Sequence, residues 1–386
     1  MCCTWCTRGR KPTRAASPPM AGRAGRARRR GRYPPPRKAW TKAHRARGAE
    51  QMGIDLPLIW AVIISFGVMM YVVMDGFDLG IGMLYPFFKD AGDRDVMMNT
   101  VAPVWDGNET WLVLGGAGLF AAFPLAYAVV LSALYLPLVF MLIGLVFRGV
   151  AFEFRFKARE ERRHIWDKAF IGGSLAATFF QGVVLGAFIE GIPVVDGRFA
   201  GAALDWLAPF PLFCGLGLVV AYSLLGCTWL IMKTEGPLQR RMHTLARPLA
   251  LALLAVIGIL SLWTPLAHEA IARRWFSLPN LIWFLPVPLL VLLSIRALLR
   301  SVANDDQVRP FLLTLALVFL GYSGLIISLW PNIIPPSISL RDAAAPPQSQ
   351  GFALVGALLI IPVILGYTAW SYYVFRGKVR HGEGYH

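Results

Sequence analysis

Residues 72–82 read VVMDGFDLGIG, and the two aspartates Asp75 and Asp78 follow directly on an apolar run from Leu56 to Met74. An acid in the middle of a spanning helix costs about 2.5–3.5 kcal/mol on insertion scales, so its presence points to function by default. Three residues apart, the pair shares one helix face. A second polar group lies in VWDGNETWLVLGGAGLF, residues 104–120, where Asp106 and Glu109 repeat the spacing of three and Asn108 adds an amide. A third is FRGVAFEFRFKARE, residues 147–160. Here Arg148 is expected to be the single buried base, with Glu153 and Arg155 near the membrane surface. A guanidinium in lipid needs a carboxylate partner. Three consecutive segments thus deliver carboxyl groups and one base, at similar depth in the inner half of the bilayer. Two chemistries fit: a proton relay, or a salt-bridge network that only locks the helices together. The excess of acids over bases favours the relay, because buried carboxyl groups beyond the available positive charge can hold and exchange protons.

Other chemistry is poorly supported. Of the six histidines, His44, His164, His243, His268, His381 and His386, none is placed deep in an apolar run. A membrane haem usually needs such a histidine or a methionine, and Met69, Met70 and Met74 read better as packing residues. No nucleotide loop, metal-ligand spacing or Ser/His/Asp set is present. Trp105 and Trp111 flank the second polar group. Packing or interfacial anchoring is the usual role of such residues, while Trp111, followed by LVLGG, is also a candidate wall for an apolar path taken by a small gas molecule.

The elements that must position these groups are spanning helices. The chain has 386 residues, 56% of them hydrophobic, too much apolar surface for a soluble domain. Nine apolar runs of spanning length fall at about 56–87, 102–122, 125–150, 167–189, 206–231, 246–268, 278–299, 309–330 and 352–375. Helices are the open-chain way to satisfy the backbone in lipid, so the fold class is all-α, polytopic. A tight link at Phe123-Pro124 predicts a hairpin of the second and third spans. With the amino end of the first span outside, eighteen Lys and Arg fall in inner links, and only Arg198, Arg273, Arg274 and Arg341 in outer ones. The positive-inside rule therefore places the C-terminus in the cytoplasm. The link 331–350, rich in proline and serine, predicts an extended surface loop.

The formal net charge of +16 is not a nucleic-acid signal, because residues 1–51 hold fifteen Lys and Arg and one acid, Glu50. This segment reads as a disordered basic leader preceding a membrane domain at 52–386, with translation expected to begin at Met52. Cys2, Cys3 and Cys6 lie in the leader; Cys214 and Cys227 lie thirteen apart in one run, on different faces of a helix. No disulfide framework follows.

The segments MDGFDLGIG, NTVAPVWDGNETWLVLGGAGLFAAFP and FRGVAFEFR, together with WPNIIPPSISLRDAAAPPQSQ and LGYTAWSYYVFRGKV, resemble subunit II of the cytochrome bd ubiquinol oxidases, in wording nearest the cyanide-insensitive branch. The resemblance runs from Met52 to near Arg380. It implies two four-helix bundles plus a peripheral ninth helix, in the bacterial inner membrane. It implies a heterodimer with a haem-bearing subunit I that holds the b-type and d-type haems and oxidises ubiquinol, this chain ligating none. It also implies that Asp106, in WDG, belongs to a proton route from the cytoplasm, with Asp75 and Asp78 as companions. From the residues themselves, Glu109 is expected as relay or partner on that route, and Arg148 with Glu153 as charge-tuning or ion-pairing groups. The rival reading of the residues is a proton-coupled secondary transporter, for which inverted repeats and broken helices near the midplane would be expected and are not evident.

Overall fold

The computed structural model describes residues 54–382. The leader 1–51 and its cysteines, together with His44 and His386, lie outside the described residues.

The first helix, α1 (Leu56–Leu84), starts where Asp55 accepts a hydrogen bond from the Leu58 N–H at 3.3 Å and Pro57 occupies the first turn. Its first half is mostly half-buried, with Leu56, Trp60, Gly67 and Tyr71 as its buried positions. From Met74 to Tyr85 every residue is buried, so this half of α1 is enclosed on all sides and both aspartates are carried inside. A short helix α2 (Ala91–Asn99) follows, then α3 (Trp105–Ala122), α4 (Pro124–Arg155), α5 (Glu160–Glu190), α6 (Pro209–Lys233) and α7 (Gly236–Ala267). The chain continues through α8 (Glu269–Phe276), α9 (Asn280–Phe284), α10 (Pro286–Ala303), α11 (Arg309–Leu329), α12 (Leu340–Ala343) and α13 (Pro347–Val374). Two small antiparallel hairpins, Val194–Val195 with Arg198–Phe199 and Asn332–Ile334 with Ile338–Ser339, are the strands among the described residues. The chain is a polytopic all-α membrane protein.

Eight helices among the described residues are long and apolar enough to cross a membrane. The remaining expected span, α3, has 18 residues, and its polar start, Asp106 to Thr110, dilutes its hydropathy. Phe123 alone separates α3 from α4, as the Phe123-Pro124 link predicts. Pro137 sits inside α4, and Leu134 just before it leaves helical geometry at φ −116° and ψ 19°, so the helix kinks there because a proline cannot donate to the turn before it.

Close approach of α1 and α6 holds the centre together. A Cβ on Gly226 would stand 2.6 Å from the Gly80 carbonyl carbon, and one on Gly80 would collide with the Tyr222 carbonyl. In lipid, van der Waals contact between such small residues is a main source of helix association. At the end of the bundle bearing the basic links, a second polar knot ties α2 to α4 and α5. Arg155 Nε lies 2.6 Å from Asp167 Oδ1, its Nη1 2.5 Å from Asp95 Oδ1, and Arg94 Nη1 2.7 Å from Asp167 Oδ2. Arg155 is fully buried. Arg148 is therefore not the single buried base that the sequence suggests; Lys233 is buried too. Both are shielded by folded links and chain ends rather than by lipid depth.

The 331–350 link is likewise not an extended surface loop. Its hairpin and α12 bury Ile334, Ile338 and Ala343. The Ala345 N–H donates to the Ala122 carbonyl at 2.9 Å, the Ile192 N–H to the Pro335 carbonyl at 3.1 Å, and the Trp60 indole to the Gln350 carbonyl at 3.1 Å. Scattered isoleucines among the prolines provide the apolar contact that composition alone conceals.

Candidate functional site: a buried carboxylate–arginine cluster

Arg148, on α4, is the hub. Its Nη2 lies 2.7 Å from Asp75 Oδ1 on α1 and 2.8 Å from Glu109 Oε2 on α3, and its Nη1 is 3.9 Å from Asp78 Oδ2. Arg148, Asp75 and Asp78 are completely buried, while the Glu109 side chain keeps 31% of its surface exposed. The cluster thus has a closed interior and one member that reaches its edge. The guanidinium carbon stands 5.7 Å from the Trp105 ring centre, and that ring stacks on Phe152 at 5.1 Å. An aromatic face favours a cation and keeps lipid from the charge.

Asn108 extends the cluster. Its Nδ2 donates to Asp78 Oδ2 at 2.9 Å and to the Met74 carbonyl at 3.3 Å. Its Oδ1 accepts from the Tyr372 hydroxyl at 2.8 Å. Tyr71, one turn before Asp75, and Tyr222 from α6 are also buried nearby; Tyr222 accepts a hydrogen bond from Gln181 Nε2 at 2.9 Å.

The structure brings Asp75, Asp78, Glu109 and Arg148 together. It does not bring in Asp106 or Glu153. Asp106 is exposed; two residues before Asn108, it is turned about 200° from that amide around the helix. Glu153 is exposed and pairs with Lys157 at 3.1 Å, one turn on, rather than with Arg148. Trp111 is buried among Tyr71 and Met74 and meets Phe66 edge-on at 5.8 Å. Tyr372, Tyr222 and Gln181 escape a sequence reading. The one available signal is a hydroxyl-bearing pair, Tyr372-Tyr373, near the end of the last span, and such tyrosines ordinarily read as interfacial anchors.

A sequence model of the cytochrome bd terminal oxidase subunit II family matches residues 56–375. The chain is 30% identical over 370 residues to the cytochrome bd-I ubiquinol oxidase subunit 2 of Escherichia coli (strain K12), covering 84% of this chain and 95% of that one. It is 30% identical over 336 residues to the cytochrome bd ubiquinol oxidase subunit 2 of Bacillus subtilis (strain 168), covering 84% and 97%. The fold is similar to that of a chain of the bd oxidase from Geobacillus thermodenitrificans, with a TM-score of 0.65 at 18% identity, over 83% of this chain and 99% of that one. These likenesses set aside the rival reading as a secondary transporter. They agree with the quoted motifs, all of which fall within or beside the matched residues. The chain belongs to the cytochrome bd terminal oxidase subunit II family.

Proposed function

We propose that this chain is the structural and proton-supplying subunit of a respiratory complex that oxidises ubiquinol and reduces dioxygen. The observation that carries the proton role is the Arg148 hub, where three carboxyl groups from two helices surround one guanidinium inside the bundle. Three acids around one base leave acid groups in excess, and that excess lets the cluster carry a proton. Dioxygen reduction consumes protons, and drawing them from the cytoplasmic side builds membrane potential. In this reading Asp106 takes protons at the inner surface, Glu109 on the next turn passes them inward, and Asp75 and Asp78 receive them beside Arg148. Trp111 walls an apolar path for dioxygen.

The exposed side of α3 carries Asp106, Thr110, Val113 and Phe120. Polar groups on an open helix face at the membrane need cover, which supports docking of a partner subunit there, as a heterodimer. That partner holds the b-type and d-type haems. A haem iron needs an axial ligand at its own depth. Of the described histidines, His164 and His243 lie in the first two turns of α5 and α7, and His268 and His381 follow helix ends, so none of them stands at the middle of a span. Quinol oxidation in that partner would supply the electrons. We further assign residues 52–386 to one inner-membrane domain of nine spans, α3 included, arranged as two four-helix bundles with α13 peripheral and the C-terminus cytoplasmic. The basic links at one end support that orientation.

The test is quinol oxidase turnover, with assembly scored in parallel, in complexes carrying Asp106→Asn or Asp75→Asn. Assembled complexes with low turnover are expected. Normal turnover in both would remove the route, and loss of assembly alone would leave the cluster as a helix lock.

A further inference from the structure

Helix α13 stands at the edge of the fold, and Gln350 and Ala357, both in its first half, are its buried residues. Yet near its other end Tyr372 turns inward, its ring edge-on to Trp229 at 6.2 Å and its hydroxyl on Asn108. Between α3 and α13 lies a cleft of about 20 Å³ whose lining includes Gly107, Asn108, Thr368, Ser371 and Tyr372. That is room for about one water molecule, among enough hydroxyl and amide groups to hold it.

The amide of Asn108 has two possible orientations, and its neighbours settle which one holds. The Met74 carbonyl and Asp78 Oδ2 are both acceptors, so the nitrogen must face them. The opposite orientation would set Oδ1 against a carbonyl and a carboxylate. The Tyr372 hydroxyl, donating to Oδ1 at 2.8 Å, holds the far end of that amide and so its position against Asp78. Without that donor the amide loses its hydrogen bond to α13 and is held only from the α1 side, through Asp78 and the Met74 carbonyl.

We propose that Tyr372 is a positioning residue for Asp78, acting through Asn108, and that the α3–α13 cleft is a water-holding mouth opening on the carboxyl cluster. The peripheral helix then forms part of the proton route. This rests on the proton-supplying function proposed above.

The experiment uses the assembled complex. Tyr372→Phe keeps the ring and removes the donor. The expected result is turnover about tenfold lower, the equivalent of leaving one buried acceptor unpaired, with KM for quinol unchanged. The infrared C=O band that disappears in Asp78→Asn should also shift in Tyr372→Phe, which loss of packing alone would not produce. Tyr373→Phe, an exposed neighbour, should match wild type. Thr368→Leu, which fills the cleft and keeps both Asn108 and Tyr372, should lower turnover and leave the Asp78 band in place. Wild-type turnover and an unmoved band in Tyr372→Phe, with Asp78→Asn inactive, overturn the positioning role while the route stands. Should Tyr372→Phe fail to assemble, Thr368→Leu decides, and wild-type turnover there overturns the mouth. Full turnover in Asp78→Asn overturns the route itself, and this inference with it.

Discussion

Arg148 Nη2 and Asp75 Oδ1 stand 2.7 Å apart, both fully buried, joining α4 to α1 at the level where the bundle is closed on all sides. A buried ion pair offsets its own desolvation only when the geometry is good and the remaining donors are occupied. Glu109, accepting from the same nitrogen at 2.8 Å, and the Trp105 ring meet that condition only in part, because Arg148 Nε and Nη1 are buried without a hydrogen-bond partner.

Removing the base should therefore be severe. Arg148→Leu leaves Asp75, Asp78 and Glu109 facing each other without compensation, at about 3–5 kcal/mol. The expected outcome is loss of assembled complex from detergent extracts. Arg148→Lys restores charge but not the planar fork that reaches two acids; it should assemble and turn over more slowly.

The acids should divide by position. Asp75→Asn and Asp78→Asn are expected to assemble and lose at least about tenfold in turnover, in the range of a displaced proton-transfer group. Glu153→Gln should behave as wild type. Its partner Lys157 is 70% exposed and Glu153 itself 59%, and such surface pairs contribute about 0–1 kcal/mol. Turnover and thermal stability, measured side by side, separate the two groups.

The α1–α6 contact sets the depth and rotation of the aspartates. Gly80→Ala would drive a methyl group into the Tyr222 carbonyl, costing about 1–3 kcal/mol from overpacking and lowering assembly yield. Gly258→Ala, with nothing near the added carbon, should be neutral or slightly stabilising through helix propensity. Equal yields of the two would show that the contact is slack.

Arg155 holds α2 to the α4–α5 hairpin through Asp95 and Asp167. Arg155→Gln should free residues 91–99 while sparing the Arg148 cluster. Hydrogen exchange should rise in α2, with a stability loss of about 3 kcal/mol. Unchanged protection there would contradict the clamp.

Trp111→Ala opens a cavity beside Tyr71 and Met74 and should cost about 3–5 kcal/mol, read as a lower thermal midpoint of the complex. If Trp111 walls a dioxygen path, KM for dioxygen changes in the same variant; an unchanged KM limits the residue to packing.

Apolar run length was enough to set the class, the places of eight of the nine expected spans and the Phe123-Pro124 hairpin, because a helix in lipid must satisfy its own backbone. Helical period was enough to put Asp75 and Asp78 on one face. The same period puts Asp106 and Glu109 on one face of α3, yet Glu109 reaches Arg148 and Asp106 does not. That difference depends on the rotation of α3 against α1 and on the longer glutamate side chain. The proline-rich 331–350 link looks solvated in composition, and only its docking on Ala122 and Trp60 reveals a packed cap. Tyr372 lies 264 residues from Asn108, and no local pattern connects them. Periodicity and hydropathy are properties of one segment. How far one helix is turned and slid against another is set by contacts such as Gly80 on Gly226, which exist only when all the helices have packed.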